Sequence, residues 1–443
     1  MFRRLPSAPH LGDDALRVLA EQMREPLPTE GQPQGWGSTG APPPELDNPA
    51  IPSGFTYFGQ FVDHDITFDP VSSLQRQNDP DALTDFRSPR FDLDSVYGSG
   101  PADEPFQYDK ASGGLKFLIE PNINGEQDLP RNSQGTALIG DPRNDENTIV
   151  SQLQLVFLRF HNKVVDRVSA DGTIPAERRF EEAQKLVRWH YQWVILRDFL
   201  PRIVGPEVLD GVLTITEQEV KINLSWFRPK QTAYMPVEFS VAAYRYGHSQ
   251  IRPAYHLNGN VRDKPIFVPG EPDPEADLRG FRPILNGWTI NDWSLFLETG
   301  GEAGQLQPSR KIDSKLSAGL FDLPGFDDAE SSLAFRNLKR GEALGLPSGQ
   351  DVARLLGVET VLDGGTLGAP EPTPLWFYIL KEAELLGGER LGPVGARIVA
   401  EVLLGLLKSD SRSFVNAEPS WRPNLGPNPG QFTLGDLVVF ATT

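Results

Sequence analysis

The segment VSQLQLVFLRFHNKVVDRV, residues 150–168, constrains the fold more than any other stretch of the chain. Val150, Leu153, Phe157, Phe160, Val164 and Val165 share one stripe of a 3.6-residue helix, and such a face has to be buried against further elements. A second helix is expected to open at Pro175, whose missing N–H costs nothing in a first turn, and to run through ERRFEEAQKLVRWHYQWVILRDFL to Pro201. It would bury Trp189, Trp193 and Leu196. GQDVARLL, PLWFYILKEAELL stopped at Gly387-Gly388, and PVGARIVAEVLLGLL read as later helices, with Thr433 and Asp436 as a capping pair near the end. VLTITEQEVKINL (212–224) and PIFVPG are candidates for small strands, but strands do not alternate with helices as a doubly wound sheet requires. The expectation is a mainly α single domain.

Forty prolines and 42 glycines in 443 residues imply long irregular connections. Residues 1–50 end in GQPQGWGSTGAPPPELDNPAIPSG and read as an N-terminal arm that Trp36 pins to the surface. A net charge of -18 with no compensating Lys/Arg cluster argues against nucleic acid and anionic lipid as partners. With no cysteine, thiolate, disulfide and iron–sulfur chemistry are excluded, so any metal must use His, carboxylate or backbone oxygen. The opening MFRRLPSAPHLGDDALRVLAEQM lacks the apolar run of a secretory signal, and no 18-residue apolar stretch follows. The expectation is a soluble protein without a transmembrane segment, cytoplasmic by default or exported without a leader.

Of the six histidines, His161 and His190 lie inside apolar-periodic helices and read as packed core residues. His64 follows an apolar stretch in FGQFVDHDITFDP, and His248 stands in AAYRYGHSQIRP. Taken alone, Asp63-His64-Asp65 reads as a surface turn of solvated carboxylates, and a lone histidine after glycine is equally ambiguous. Together with FDLDSVYGSG (91–100), GDPRNDEN (140–147) and FRNLKRGEALGLPSGQ (335–350), these segments resemble, in order and approximate spacing, the motifs of the animal-type haem peroxidases, the peroxidase-cyclooxygenase superfamily. The resemblance spans roughly residues 54–408, and LPSGQ and LGPVGARIVAEV are similar to segments of its short bacterial members.

The resemblance implies a single-domain, mainly α fold with few short strands, residues 51–443 forming the catalytic domain and haem b lying between a His64 helix and a His248 helix. His64 takes the place of the distal histidine, which moves a proton from the inner to the outer peroxide oxygen so that water leaves. Gln60 matches the glutamine beside it, and Arg143 matches the distal arginine that stabilises developing negative charge. His248 matches the iron ligand, Asn337 the amide that accepts its second ring N–H, and Arg340 an arginine facing a propionate. Asp63 and Glu146 match the carboxylates that form ester bonds to haem methyl groups. Asn147 stands where some relatives carry a methionine that makes a third link. Asp65, Ser88, Arg90 through its carbonyl, Asp92 and Asp94 match the calcium ligands, and hard oxygen donors suit that ion.

The function implied is reduction of hydrogen peroxide and oxidation of small aromatic donors or halides through an oxyferryl species. Two alternatives are a haem-dependent fatty-acid dioxygenase on the same fold and a non-catalytic haem-binding module. In the dioxygenases a radical tyrosine lies three residues before the proximal histidine; here that position is Arg245, with Tyr244 and Tyr246 out of register. Retention of both His64 and Arg143 argues against a module that only binds haem.

Overall fold

The long apolar-periodic segment forms the longest helix among the described residues, Thr148–Ala170. The structure, a computed structural model, describes residues 1–25, 44–67, 89–229, 233–270, 273–300, 306–324, 326 and 328–443. Its longer helices are α1 (Asp13–Gln22), α2 (Gly54–Ile66), α3 (Thr148–Ala170), α4 (Arg179–Val194), α5 (Leu333–Ala343), α6 (Gly349–Leu356), α7 (Leu375–Leu385), α8 (Pro393–Ser409) and α9 (Leu434–Thr442). The expected mainly α single domain is the fold observed. The strands described form three small antiparallel pairs: Asp47–Pro52 with Pro308–Arg310, Leu213–Ile215 with Val220–Ile222, and Ala254–Tyr255 with Lys264–Pro265. The 212–224 segment is thus a hairpin, whereas PIFVPG contributes only Pro265 to a strand. Trp36 and the Pro/Gly-rich stretch through residue 43 lie outside the described residues.

Helix α3 starts where Asn147 accepts the Ile149 and Val150 amides at 3.1 and 2.9 Å, which satisfies two of the donors that a helix N-terminus leaves open. All six residues of its expected stripe are buried. So are Gln154 within that stripe and Gln152, Leu155 and Leu158 on the other faces, because α3 is enclosed by α2, α4 and α9. Phe61 of α2 stacks on Phe157 with ring centroids 4.3 Å apart. Burial of two such rings contributes about 1.5–3 kcal/mol each, and it fixes the rotation of α2 against α3.

Helix α4 opens later than the sequence suggests, after a 3-10 turn at Ala176–Arg178, and the helical run continues beyond Pro201 to Val204. A π-helical turn at Ile195–Phe199 takes up the hydrogen bond and the ring clash that a proline imposes inside a helix. Trp189, Trp193 and Leu196 are buried as expected, and Thr433 and Asp436 form a complete capping box on α9. His161 and His190 are wholly buried. The segment carrying His248 is not an α-helix but a six-residue 3-10 run, Ala243–His248. Ala242 just before it has non-helical backbone (φ -128°, ψ -73°), and Gly247 weakens helix formation within it. Helix α1, which lies in the segment expected to be an N-terminal arm, buries Leu16 and Leu19 and packs on α5. Among the described residues no helix is long and apolar enough to cross a membrane.

Candidate functional site

His64 occupies the last turn of α2 and is 5% exposed, so Asp63-His64-Asp65 is part of the interior and not a surface turn. Its Nδ1 lies 2.7 Å from Oδ1 of Asn144. Arg143 and Asn144 belong to a 3-10 turn, Pro142–Asp145, immediately before α3. Asp141 shapes this turn: its carboxylate accepts the Arg143 amide at 2.9 Å and Nη2 of the same residue at 2.8 Å. Arg143 Nη2 also donates to the carbonyls of His64, at 3.1 Å, and of Thr67, so the guanidinium is tied to the C-terminal end of α2. Burial alone would lower the Arg143 pKa, but Asp141, Asp63 and Glu146 around it raise it overall. The Arg143 charge is therefore permanent. Gln60, one turn before His64, donates to Glu146 at 2.7 Å and accepts from Asn147 at 3.2 Å.

Asp63 is the point on which both sides of the site converge. Burial raises its pKa, and the positive charges that oppose the rise are those of Arg143, Arg245 and Arg340. Arg143 comes from the turn before α3, Arg245 from the 3-10 run of His248, and Arg340 from α5. Residues separated by up to 277 positions in the chain thus share one electrostatic neighbourhood, as 340 minus 63 gives.

His248 is held neutral, its pKa pushed down to about 3 by burial and by the adjacent Arg245 charge. Asn337 lies opposite its Nδ1 at 2.9 Å, as expected, but with the amide nitrogen and not the oxygen turned to the ring. The cause is Arg245, whose Nη1 donates to Asn337 Oδ1 at 3.3 Å and so draws the acceptor end away. In this orientation the amide donates to Nδ1 and the ring proton resides on Nε2. Exchange of the amide oxygen and nitrogen reverses both.

Carboxylate oxygens of Asp65, Asp92 and Asp94 lie within 4.8 Å of one another. Between the last two, Leu93 takes a left-handed conformation (φ 57°) that a branched side chain disfavours. Asp92 Oδ1 is buried and has no hydrogen-bond partner among the described residues, while Oδ2 accepts from Arg412 at 3.1 Å. Arg90 is half-buried two residues earlier, and Ser88 lies outside the described residues.

Sequence reasoning missed three supports of this site. Arg245 was noticed only as a missing tyrosine, yet it contacts Asn337 and donates from Nε to the Ser240 carbonyl at 3.0 Å. Asn144 links His64 to Gln154 of α3, to which it donates at 2.9 Å. Arg131 clamps Asp128 and Asp145 and so anchors the Arg143 turn. The motif GDPRNDEN held Asn144 and Asp145 in plain view, but no local pattern separates a buried amide from a solvated one.

Two histidines on separate elements are thus linked through the carboxylates and arginines around Asp63 in a helical scaffold. A family model described as animal haem peroxidase matches residues 74–367, about two thirds of the chain. The chain belongs to the animal haem peroxidase family. His64 and its neighbours on α2 lie before the matched segment. Thyroid peroxidase of Canis lupus familiaris is 25% identical over 388 residues, which cover 77% of this chain and 38% of that protein. The chain spans about two fifths of the length of the curated relatives it matches. Among solved structures, peroxidase A from Dictyostelium discoideum shares the fold with a TM-score of 0.66 and 15% identity, covering 99% of this chain and 90% of that one. Oryza sativa fatty acid alpha-dioxygenase shares it with a TM-score of 0.57 and 15% identity, covering 91% and 75%.

Proposed function

We propose that this chain is a haem peroxidase that reduces hydrogen peroxide and oxidises small aromatic donors or halides. The observation that carries the reading is the convergence of Arg143, Arg245 and Arg340 on Asp63, the neighbour of His64, with Arg245 on the same 3-10 run as His248 and bonded to its partner Asn337. This donor set suits haem: a neutral imidazole for the iron, arginines for propionates, and Asp63 and Glu146 as carboxylates for ester links. Bound haem would supply the electrons that reduce peroxide. Ligation through His248 Nε2 requires the orientation of Asn337 in which Oδ1 accepts the Nδ1 proton. His64 takes a proton from the inner peroxide oxygen and gives it to the outer one, and the Arg143 guanidinium stabilises the negative charge that develops. Gln60, one turn before His64 and bonded to Glu146 and Asn147, holds the Glu146 carboxylate beside the base. Asp65, Asp92 and Asp94, with Ser88 and the Arg90 carbonyl, would hold a calcium ion, for which an unpartnered buried carboxylate oxygen is a fitting donor.

Arg245 at the third position before His248 supports a peroxidase over a fatty-acid dioxygenase, because its guanidinium is engaged with Asn337 and Ser240 and offers no hydrogen-abstracting phenol. The test is peroxide-dependent oxidation of pyrogallol by the haem-loaded chain. His64→Ala should slow the reaction with peroxide about 100-fold or more while haem stays bound. Equal rates in wild type and variant, followed by stopped-flow absorbance, would overturn the assignment.

A further inference from the structure

We propose that Asn144 and Gln154 form a buried two-amide relay that decides which nitrogen of His64 carries the proton. The proposal rests on the reading of His64 as the base for peroxide. All three side chains are buried, Asn144 and Gln154 completely. Asn144 Nδ2 donates to Gln154 Oε1 at 2.9 Å, an oxygen that can only accept. Asn144 Oδ1 is thereby turned toward His64 Nδ1, 2.7 Å away, and being an acceptor it requires the hydrogen on Nδ1. The lone pair is then on Nε2, the form in which a histidine can accept a proton from a ligand.

The relay has a definite origin in the fold. Asn144 follows Arg143 in one 3-10 turn, so a single turn presents the cation directly and sets the tautomer of the base. Gln154 comes from α3, whose position against α2 is fixed by the Phe61–Phe157 stack. Gln154 Nε2 has no hydrogen-bond partner among the described residues, so the bond from Asn144 is what orients that amide. Its neighbour Gln152 is committed elsewhere, donating to the Gln127 carbonyl and accepting from Ile290. Asn144 and Gln154 act through His64 and are positioning residues.

Two measurements on the haem-loaded chain test the relay. In the diamagnetic carbon-monoxide form of the reduced protein, 15N-histidine NMR should place the hydrogen of His64 on Nδ1, the signal being assigned by its loss in His64→Leu. Asn144→Asp keeps an acceptor and should retain that tautomer at neutral pH, whereas Asn144→Leu should shift hydrogen toward Nε2. Hydrogen cyanide gives up a proton to bind as an anion, and so reads the base without turnover. Its association at fixed pH should slow about tenfold to a hundredfold in Asn144→Leu, by less in Gln154→Leu, and little in Asn144→Asp. An Nε2–H tautomer in wild type, or an unchanged tautomer in Asn144→Leu, overturns the relay. Cyanide association equally fast in His64→Leu and wild type overturns instead the reading of His64 as the base, and the NMR result separates the two failures.

Discussion

Replacing Arg131 with methionine should destabilise the protein by about 3–5 kcal/mol, the cost of stranding buried charge when one partner of an ion pair is removed. Arg131 donates to both oxygens of Asp145, at 2.6 and 2.7 Å, to both oxygens of Asp128, at 2.9 and 3.2 Å, and to the Gly135 carbonyl at 3.0 Å. Side-chain exposures of 5%, 0% and 3% for Arg131, Asp128 and Asp145 leave little water to screen the two carboxylates once the guanidinium is gone. The loss is read from chemical unfolding midpoints at pH 7. A triple variant, Arg131→Met with Asp128→Asn and Asp145→Asn, should recover most of it, since replacing a whole buried ion group is far less costly than breaking one. The pH dependence has a definite sign. Burial pushes the Asp145 carboxyl up, to about 6, with Arg131 pulling the other way. Without Arg131 it rises further, and a group whose folded pKa is raised contributes stability below its unfolded value of about 3.9 that is lost as pH climbs through the folded one. The deficit of Arg131→Met should therefore be smaller at pH 5 than at pH 8. Because Asp145 ends the turn that carries Arg143 and Asn144, the variant should also react more slowly with peroxide. A loss under about 1 kcal/mol at pH 7 would place the trio among solvent-screened pairs and refute the clamp.

Elemental analysis should find about one calcium per chain. Asp92→Ala should abolish it and slow the peroxide reaction, because Asp65 directly follows His64; metal-free protein with full activity would rule this role out. After treatment with a few equivalents of peroxide, denaturing mass spectrometry should find haem mass on the wild-type chain and none on the Asp63→Ala, Glu146→Ala double variant. Release of all haem from treated wild type into acidified organic solvent would remove the ester assignment.

What the sequence made legible was whatever repeats at short range or stands in a contiguous motif. The stripe of α3, the capping pair of α9, and the placement of His64, Arg143 and His248 in motif segments all depend on residues within a few positions of one another. The length of the His248 element was not legible in this way, because a six-residue 3-10 run and an α-helix bury the same Tyr244 and Tyr246. Nor was the start of α4, where the proline cue pointed to one residue and the chain spent a 3-10 turn before the helix proper.

The polar residues of α3 mark the deeper limit. Gln152, Gln154 and His161 are polar residues of one helix; on a helical wheel only Gln152 stands opposite the apolar stripe, while Gln154 and His161 fall within it, and each is 3% exposed or less. Each is buried because a segment outside the helix brings the matching donor or acceptor: Ile290 for Gln152, Asn144 of the preceding turn for Gln154, Tyr97 and the Leu115 carbonyl for His161. Burying such groups unmatched would cost more than the surrounding apolar contacts return, so their burial is decided by the partner and not by the residue. The periodicity that located α3 thus placed Gln154 and His161 inward and Gln152 outward, and named a partner for none of them. Gln154, beside Val150 and Phe157 on the stripe, meets Asn144 of the Arg143 turn, and through that amide α3 is linked to Nδ1 of His64.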